Sequence, residues 1–181
     1  MKKTTFIATC ALAFTTLFSV NVSGQDFPGL DKSPMDMAAF PTDYKNANKL
    51  VKITYSRPQL KDREVSKLAP MDKVWRVGAN EAAEISFYKE VSLGNKTIKP
   101  GTYTFYLIPG EKEWTAIINT DLNVWGSYFY NEANDVARLT VPVKKDTDSV
   151  EALSIIFDDN KESINMHIGW GNTRLVVPFT K

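Results

Sequence analysis

The chain has 181 residues, 22 Lys and Arg against 21 Asp and Glu, and 12% aromatic residues. Charge this balanced leaves neither a basic patch of the kind that binds nucleic acid nor an acidic tail. The one cysteine, Cys10, excludes a disulfide within the chain.

Lys2 and Lys3 precede an uncharged apolar stretch over residues 6–20, and Val22-Ser23-Gly24 puts small residues before Gln25. This pattern predicts a secretory signal peptide over residues 1–24, cleaved near Gly24-Gln25. A membrane span needs about 20 apolar residues, and this run is shorter and broken by Thr9, Thr15, Thr16 and Ser19. Cys10 lies in its first half, away from a lipidation position. Cleavage would leave 157 residues (181 minus 24), with 20 basic against 21 acidic side chains and no cysteine. The mature chain is expected in the periplasm or secreted, with no membrane span after cleavage.

Residues 25–48 carry loop signals in Phe27-Pro28-Gly29, Ser33-Pro34, Phe40-Pro41 and Asn46-Ala47-Asn48. Phe27, Met35, Met37, Phe40 and Tyr44 make the stretch too apolar for a free linker. It is expected to be an extended arm packed on the domain, with a short helical turn at 35–39. From residue 49 onward, alternation of period two dominates, the spacing of side chains on a strand. It runs through Val51, Ile53 and Tyr55; Ile85 and Phe87; Tyr103, Phe105 and Leu107; and Trp114, Ala116 and Ile118. It continues through Ala137, Leu139 and Val141; Leu153, Ile155 and Phe157; Ile164, Met166, Ile168 and Trp170; and Leu175, Val177 and Phe179. Turn chemistry separates these runs, at Gly94-Asn95, Lys99-Pro100-Gly101, Pro109-Gly110, 119–123, 131–135, 145–148, 158–160 and Gly171-Asn172. The only helical candidate in this part is 63–68. Residues 49–181 therefore predict an all-β fold, a single antiparallel β-sandwich of jelly-roll-like character with roughly eight to ten strands. Pro142 and Pro178 are expected on edge strands, because proline donates nothing to a ladder.

Tyr55-Ser56-Arg57-Pro58 and the run from Val74-Trp75-Arg76-Val77-Gly78 through Ala79-Asn80-Glu81-Ala82 are distinctive. So are Lys99-Pro100-Gly101-Thr102-Tyr103, Ile108-Pro109 with Glu113-Trp114-Thr115, Val124-Trp125-Gly126, Trp170-Gly171-Asn172-Thr173-Arg174, and the block opening at Leu30-Asp31-Lys32-Ser33-Pro34. In these blocks the sequence resembles DUF2911, a family of exported bacterial proteins, abundant in Bacteroidetes, whose function is unassigned. The resemblance implies an all-β fold and an envelope location, and supplies no substrate, cofactor or catalytic residue. Two departures stand out: the family often has glycine where Asp62 stands and aspartate where Gly171 stands.

Two constellations carry the candidate sites. An arginine fork, an amide and a carboxylate at Arg76, Asn80 and Glu81, with Arg57 as an additional member, have the donors and acceptors to hold a small polar ligand. The same groups would equally serve a structural network, with Arg76 paired to Glu81 or Glu84. Trp125, Tyr128 and Tyr130 form a candidate aromatic platform for a carbohydrate, whereas Trp75, Trp114 and Trp170 fall on apolar strand faces and are expected in the core. Acidic pairs at Asp146/Asp148 and Asp158/Asp159 read as solvated turns, and none has the spacing of a calcium loop. His167, the only histidine, falls on a polar strand face, and no serine sits in a Gly-x-Ser-x-Gly elbow. Asn95-Lys96-Thr97 reads as turn chemistry. No catalytic residue, metal site or cofactor is assigned. The expected function is a non-catalytic binding or interaction module of the cell envelope with a polar groove, its partner a small polar or carbohydrate ligand or an envelope protein. The alternatives are a carbohydrate-directed hydrolase using Glu81 or Glu84 with a second carboxylate, and a structural component of an envelope complex.

Overall fold

Alternation becomes strand wherever one face can be buried. In β2 (Val51–Ser56), Val51, Ile53 and Tyr55 are buried while Lys52 and Thr54 turn outward. The computed structural model of the protein describes residues 24–181, so the signal segment read at 1–24 lies outside the described residues except for Gly24. In chain order the strands are β1 (Met35–Phe40), β2, β3 (Ala83–Phe87), β4 (Val91–Leu93), β5 (Lys96–Ile98), β6 (Gly101–Ile108), β7 (Glu113–Asn119), β8 (Asp135–Pro142), β9 (Lys144–Asp159) and β10 (Ser163–Thr180). They form two antiparallel sheets, a six-stranded one in the order β1-β2-β3-β6-β7-β8 and a four-stranded one in the order β5-β4-β10-β9. Among the described residues a short α-helix, α1 (Val65–Leu68), falls inside the predicted stretch 63–68, and a single 3-10 turn covers Glu132–Asn134.

The sandwich core lies between the sheets. Ile53, Ile85, Phe105, Leu107 and Ile118 from the first meet Leu153, Met166, Val177 and Phe179 from the second, all fully buried or within 4% of it. At one end of this core three tryptophans interlock. Trp75 stacks on Trp170 with centroids 5.4 Å apart and meets Trp114 edge-on at 6.1 Å. The six-stranded sheet also buries part of its outer face, where Ala82, Tyr106 and Ile117 form a small second core with Val74, Val124 and Tyr130 packed against them. That is why β6 is buried on both faces across Thr104, Phe105, Tyr106 and Leu107.

Four expectations require correction. Residues 35–40 form strand β1, in register with β2 from Met35↔Ser56 to Phe40↔Val51, where a helical turn was predicted. A helical segment that short is unfavourable to nucleate, whereas six residues beside β2 complete a ladder. Ahead of β1, Phe27 and Leu30 are 83% and 98% exposed, so the front of the arm does not pack. Gly171-Asn172 and 145–148 are not chain reversals: both lie inside the long strands β10 and β9, at register shifts where the ladder bulges. Pro142 ends an edge strand, but β10 lies between β4 and β9. Pro178 is accommodated because the β9 ladder closes earlier, at Arg174↔Lys144. The Gly94-Asn95 turn joins β4 to β5, two three-residue strands too short to show periodicity.

Candidate functional site

The segment from Val74 to Ala82 leaves and rejoins the six-stranded sheet. Trp75 exchanges backbone hydrogen bonds with Leu107 at 2.7 and 3.0 Å, and Ala83 N–H donates to Arg76 O at 2.9 Å as the chain enters β3. The excursion between them is strained. Val77 and Asn80 hold φ of 54° and 60°, and for a β-branched residue such a conformation costs on the order of 1–3 kcal/mol. Burial holds it in place. Val77 is fully buried, and Gly78 lies so close to β2 that a Cβ there would be 3.0 Å from Ser56 O.

A second loop, residues 120–131, closes over the first. Ala82 N–H donates to Val124 O at 3.0 Å, Gly126 N–H to Asn80 O at 2.9 Å, and Ser127 Oγ to Val74 O at 2.8 Å. Glu81 and Trp125 form an isolated antiparallel bridge. Two constellations separate in sequence thus become one feature. The segment carrying Arg76, Asn80 and Glu81 is hydrogen-bonded along its length to the segment carrying Trp125 and Tyr128. Trp125 is 56% exposed and Tyr128 76%, followed by Phe129 at 84%. Arg76 Nε is buried yet has no hydrogen-bond partner among the described residues. No ion pair joins Arg76 to Glu81 or Glu84 there. Glu84 Oε1 instead accepts from Asn123 N–H at 2.8 Å, which pins the second loop.

Two of the sequence candidates lie elsewhere in function. Tyr130 turns inward and packs edge-on against Tyr106 at 5.3 Å. Its hydroxyl donates to Asp135 Oδ2 at 2.6 Å and accepts from Arg138. Burial, reinforced by the Asp135 carboxylate, pushes the Tyr130 phenol up to about 12, and burial does the same for Tyr106. Arg57 fastens the two sheets together: Nε donates to Leu153 O at 2.9 Å, one terminal nitrogen to Ser154 Oγ at 2.8 Å, and the other pairs with Asp36 at 3.0 Å. All three arms of its fork are engaged.

His167 faces outward from β10, with Nε2 2.8 Å from Asp158 Oδ2 but off the direction a hydrogen bond prefers. The Asn165 amide, with His167 behind it, holds the Asp158 carboxyl below the usual range. Neither residue lines the large cleft beside α1. Among the described residues no three His, Cys, Asp or Glu side chains are grouped to hold a metal ion.

Sequence reasoning missed a concavity of about 580 Å³. Its walls come from the segment 60–71 with α1, the Pro109-Gly110-Glu111 turn, Trp114 at the head of β7, the first half of β9 and the bulge of β10. No residue of 74–82 or 120–131 lines it. Five distant segments build it, so no local motif announces it. Asp62 and Gly171, two positions singled out in the sequence, both line it. Asp62 has φ of 61°, which glycine adopts without strain. Gly171 has φ of 53°, and a Cβ there would stand 3.1 Å from Val65 Cγ2.

Architecture places the protein among the all-β, two-sheet antiparallel sandwiches. Within that class the chain belongs to the family described as protein of unknown function (DUF2911), which it matches over residues 33–179. No curated protein and no solved structure matches the chain.

Proposed function

We propose that the protein is an exported, non-catalytic binding module of the cell envelope whose ligand surface is the loop pair 74–82 and 120–131, and that its ligand is a carbohydrate. The observation that carries this reading is the bridge between Glu81 and Trp125, which sets a half-exposed indole beside a carboxylate on a backbone fixed by the bridge's own two hydrogen bonds and by Ser127 Oγ on Val74 O. An aromatic face packs on the C–H face of a sugar ring, and the adjacent carboxylate, amide and guanidinium match its hydroxyls. Arg76 Nε, buried without a partner, is a polar group that the fold itself leaves unsatisfied beside this surface. Rigid backbone lowers the ordering cost of binding, which gives the strain at Val77 a purpose. The hydrolase reading is weakened by the engagement of Glu84 with Asn123.

A panel of neutral oligosaccharides titrated against the tryptophan fluorescence of the protein tests the proposal. At least one should change the emission saturably, without being cleaved, and Trp125→Ala should remove the response. Binding that survives Trp125→Ala, or no response to any oligosaccharide, would overturn it.

A further inference from the structure

The concavity above the tryptophan cluster is independent of the loop pair and has its own chemistry. Its volume of about 580 Å³ lies within the ~300–1,000 Å³ usual for small-ligand pockets. The apolar part is rigid, because Trp114 is 7% exposed and locked edge-on against Trp75, which stacks on Trp170. Met71, 48% exposed, flanks it. The charged part is lopsided. Asp62, Glu64, Glu111 and Glu151 face Arg63 and Lys145, four carboxylates against two cations, a net charge of −2.

The partners of these groups sharpen the imbalance. Arg63 donates to Leu60 O at 2.7 Å and Gln59 O at 2.8 Å, and Lys145 Nζ to Thr173 Oγ1 at 3.3 Å, so both cations are turned to the protein's own oxygens. Glu151 Oε1 accepts from Lys61 N–H at 2.8 Å. The carboxylates of Asp62, Glu64 and Glu111 accept no hydrogen bond and join no ion pair among the described residues. They are not grouped as metal ligands would be, so the charge is spread around an apolar floor. Spread negative charge over an indole complements an organic cation on an apolar stem, whose methylenes cover the floor while its head reaches the rim.

We infer that this cleft binds an alkyl-ammonium or guanidinium group of the kind a lysine or arginine side chain presents. Its occupant is therefore chemically distinct from the neutral sugar proposed for the loop pair.

The test is a titration of the ¹⁵N-labelled protein followed by two-dimensional NMR. The probes are n-butylamine, a blocked lysine amide and, as the uncharged isostere, a blocked norleucine amide. Both amines should shift the Trp114 indole N–H and the Glu111 and Gly171 amides, less so at higher salt, while the norleucine amide should not. Equal affinity for the two amines would identify a free amine as sufficient, and much tighter binding of the lysine amide would identify a peptide. Asp62→Asn with Glu64→Gln and Glu111→Gln should abolish the shifts. Glu111→Gln alone, a change no fold contact depends on, should weaken binding roughly two- to fivefold, the range of a partly exposed ion pair. Trp125→Ala should leave amine binding unchanged, which separates this site from the loop pair. Equal shifts with the norleucine amide, shifts confined to other surfaces, or affinity unaltered in Glu111→Gln would overturn the inference.

Discussion

The molecule uses its four tryptophans in two opposite ways. Trp75, Trp114 and Trp170 come from three separate strands or bridges and bury one another at one end of the core. Trp125 is held just as firmly by its backbone, yet more than half of it faces solvent. The local sequence around three of them looks alike: Trp170 and Trp125 both precede glycine, and Trp75 lies three residues before one. What separates them is which element supplies the flanking residues. Trp114 and Trp170 lie on the buried faces of β7 and β10, and Trp75, bridged to Leu107, packs onto them from the segment beside β6, whereas Trp125 sits on a loop and its indole meets no such partner among the described residues.

The sharpest way to break this contrast is to truncate one tryptophan of each kind. Trp114→Ala should lower the free energy of unfolding by ~3–5 kcal/mol, the usual effect of deleting a buried large aromatic, as measured by denaturant titration. A loss below about 1 kcal/mol would mean that the cluster does not support the core. Arg57→Ala comes next. Its bonds to Leu153 O and Ser154 Oγ hold β2 against β9, and losing them should cost about 1–3 kcal/mol. Asp36→Ala should cost less than about 1 kcal/mol, because that ion pair is more than a third exposed on both sides.

The outer core offers a third test, through pH. Tyr106 and Tyr130 keep their phenol protons to about 12 in the fold, whereas in the unfolded chain a tyrosine releases its proton near 10. Below 10 both states are protonated and the full contribution is present. Between about 10 and 12 the unfolded chain sheds protons that the folded one retains, so stability should fall as pH rises through that window. Tyr130→Phe should flatten the fall, visible in unfolding curves collected from pH 9 to 12. The smallest effects belong to the loop pair. Trp125→Ala should change stability by no more than about ±0.5 kcal/mol. Arg76→Ala and Glu81→Ala should add within about 0.3–0.5 kcal/mol in a double-mutant cycle, since no contact couples them.

The sequence made the sandwich legible because period two survives wherever a strand has one buried face, as in β2, β7 and β9. It failed where that condition lapses. β1 offers Met, Asp, Met and Ala in a row, residues that read as helical until β2 supplies a partner. β4 and β5 are three residues each. Gly171 has the letters of a turn and the role of a bulge. For the loop pair, each half was readable from its residue types, but the pairing of Glu81 with Trp125 spans residues far apart in the chain and depends on how both loops fit the outer face of β6. The end cleft left still less trace, since its walls come from five segments, each ordinary by itself.

Just beyond Arg57, the chain runs along an exposed sheet edge. β9 is the rim of the smaller sheet and runs for 16 residues, long enough to serve as a template on which another chain could add a strand. Gln59 bridges Ala152, with Leu60 N–H on Glu151 O and Leu153 N–H on Pro58 O, so the middle of that rim is already occupied by the protein's own backbone. Its exposed start carries Lys144, Lys145, Asp146 and Asp148, charges that discourage pairing between copies. The segment from Pro58 to Leu60 thus takes up backbone groups in the middle of this edge that a second strand would otherwise need.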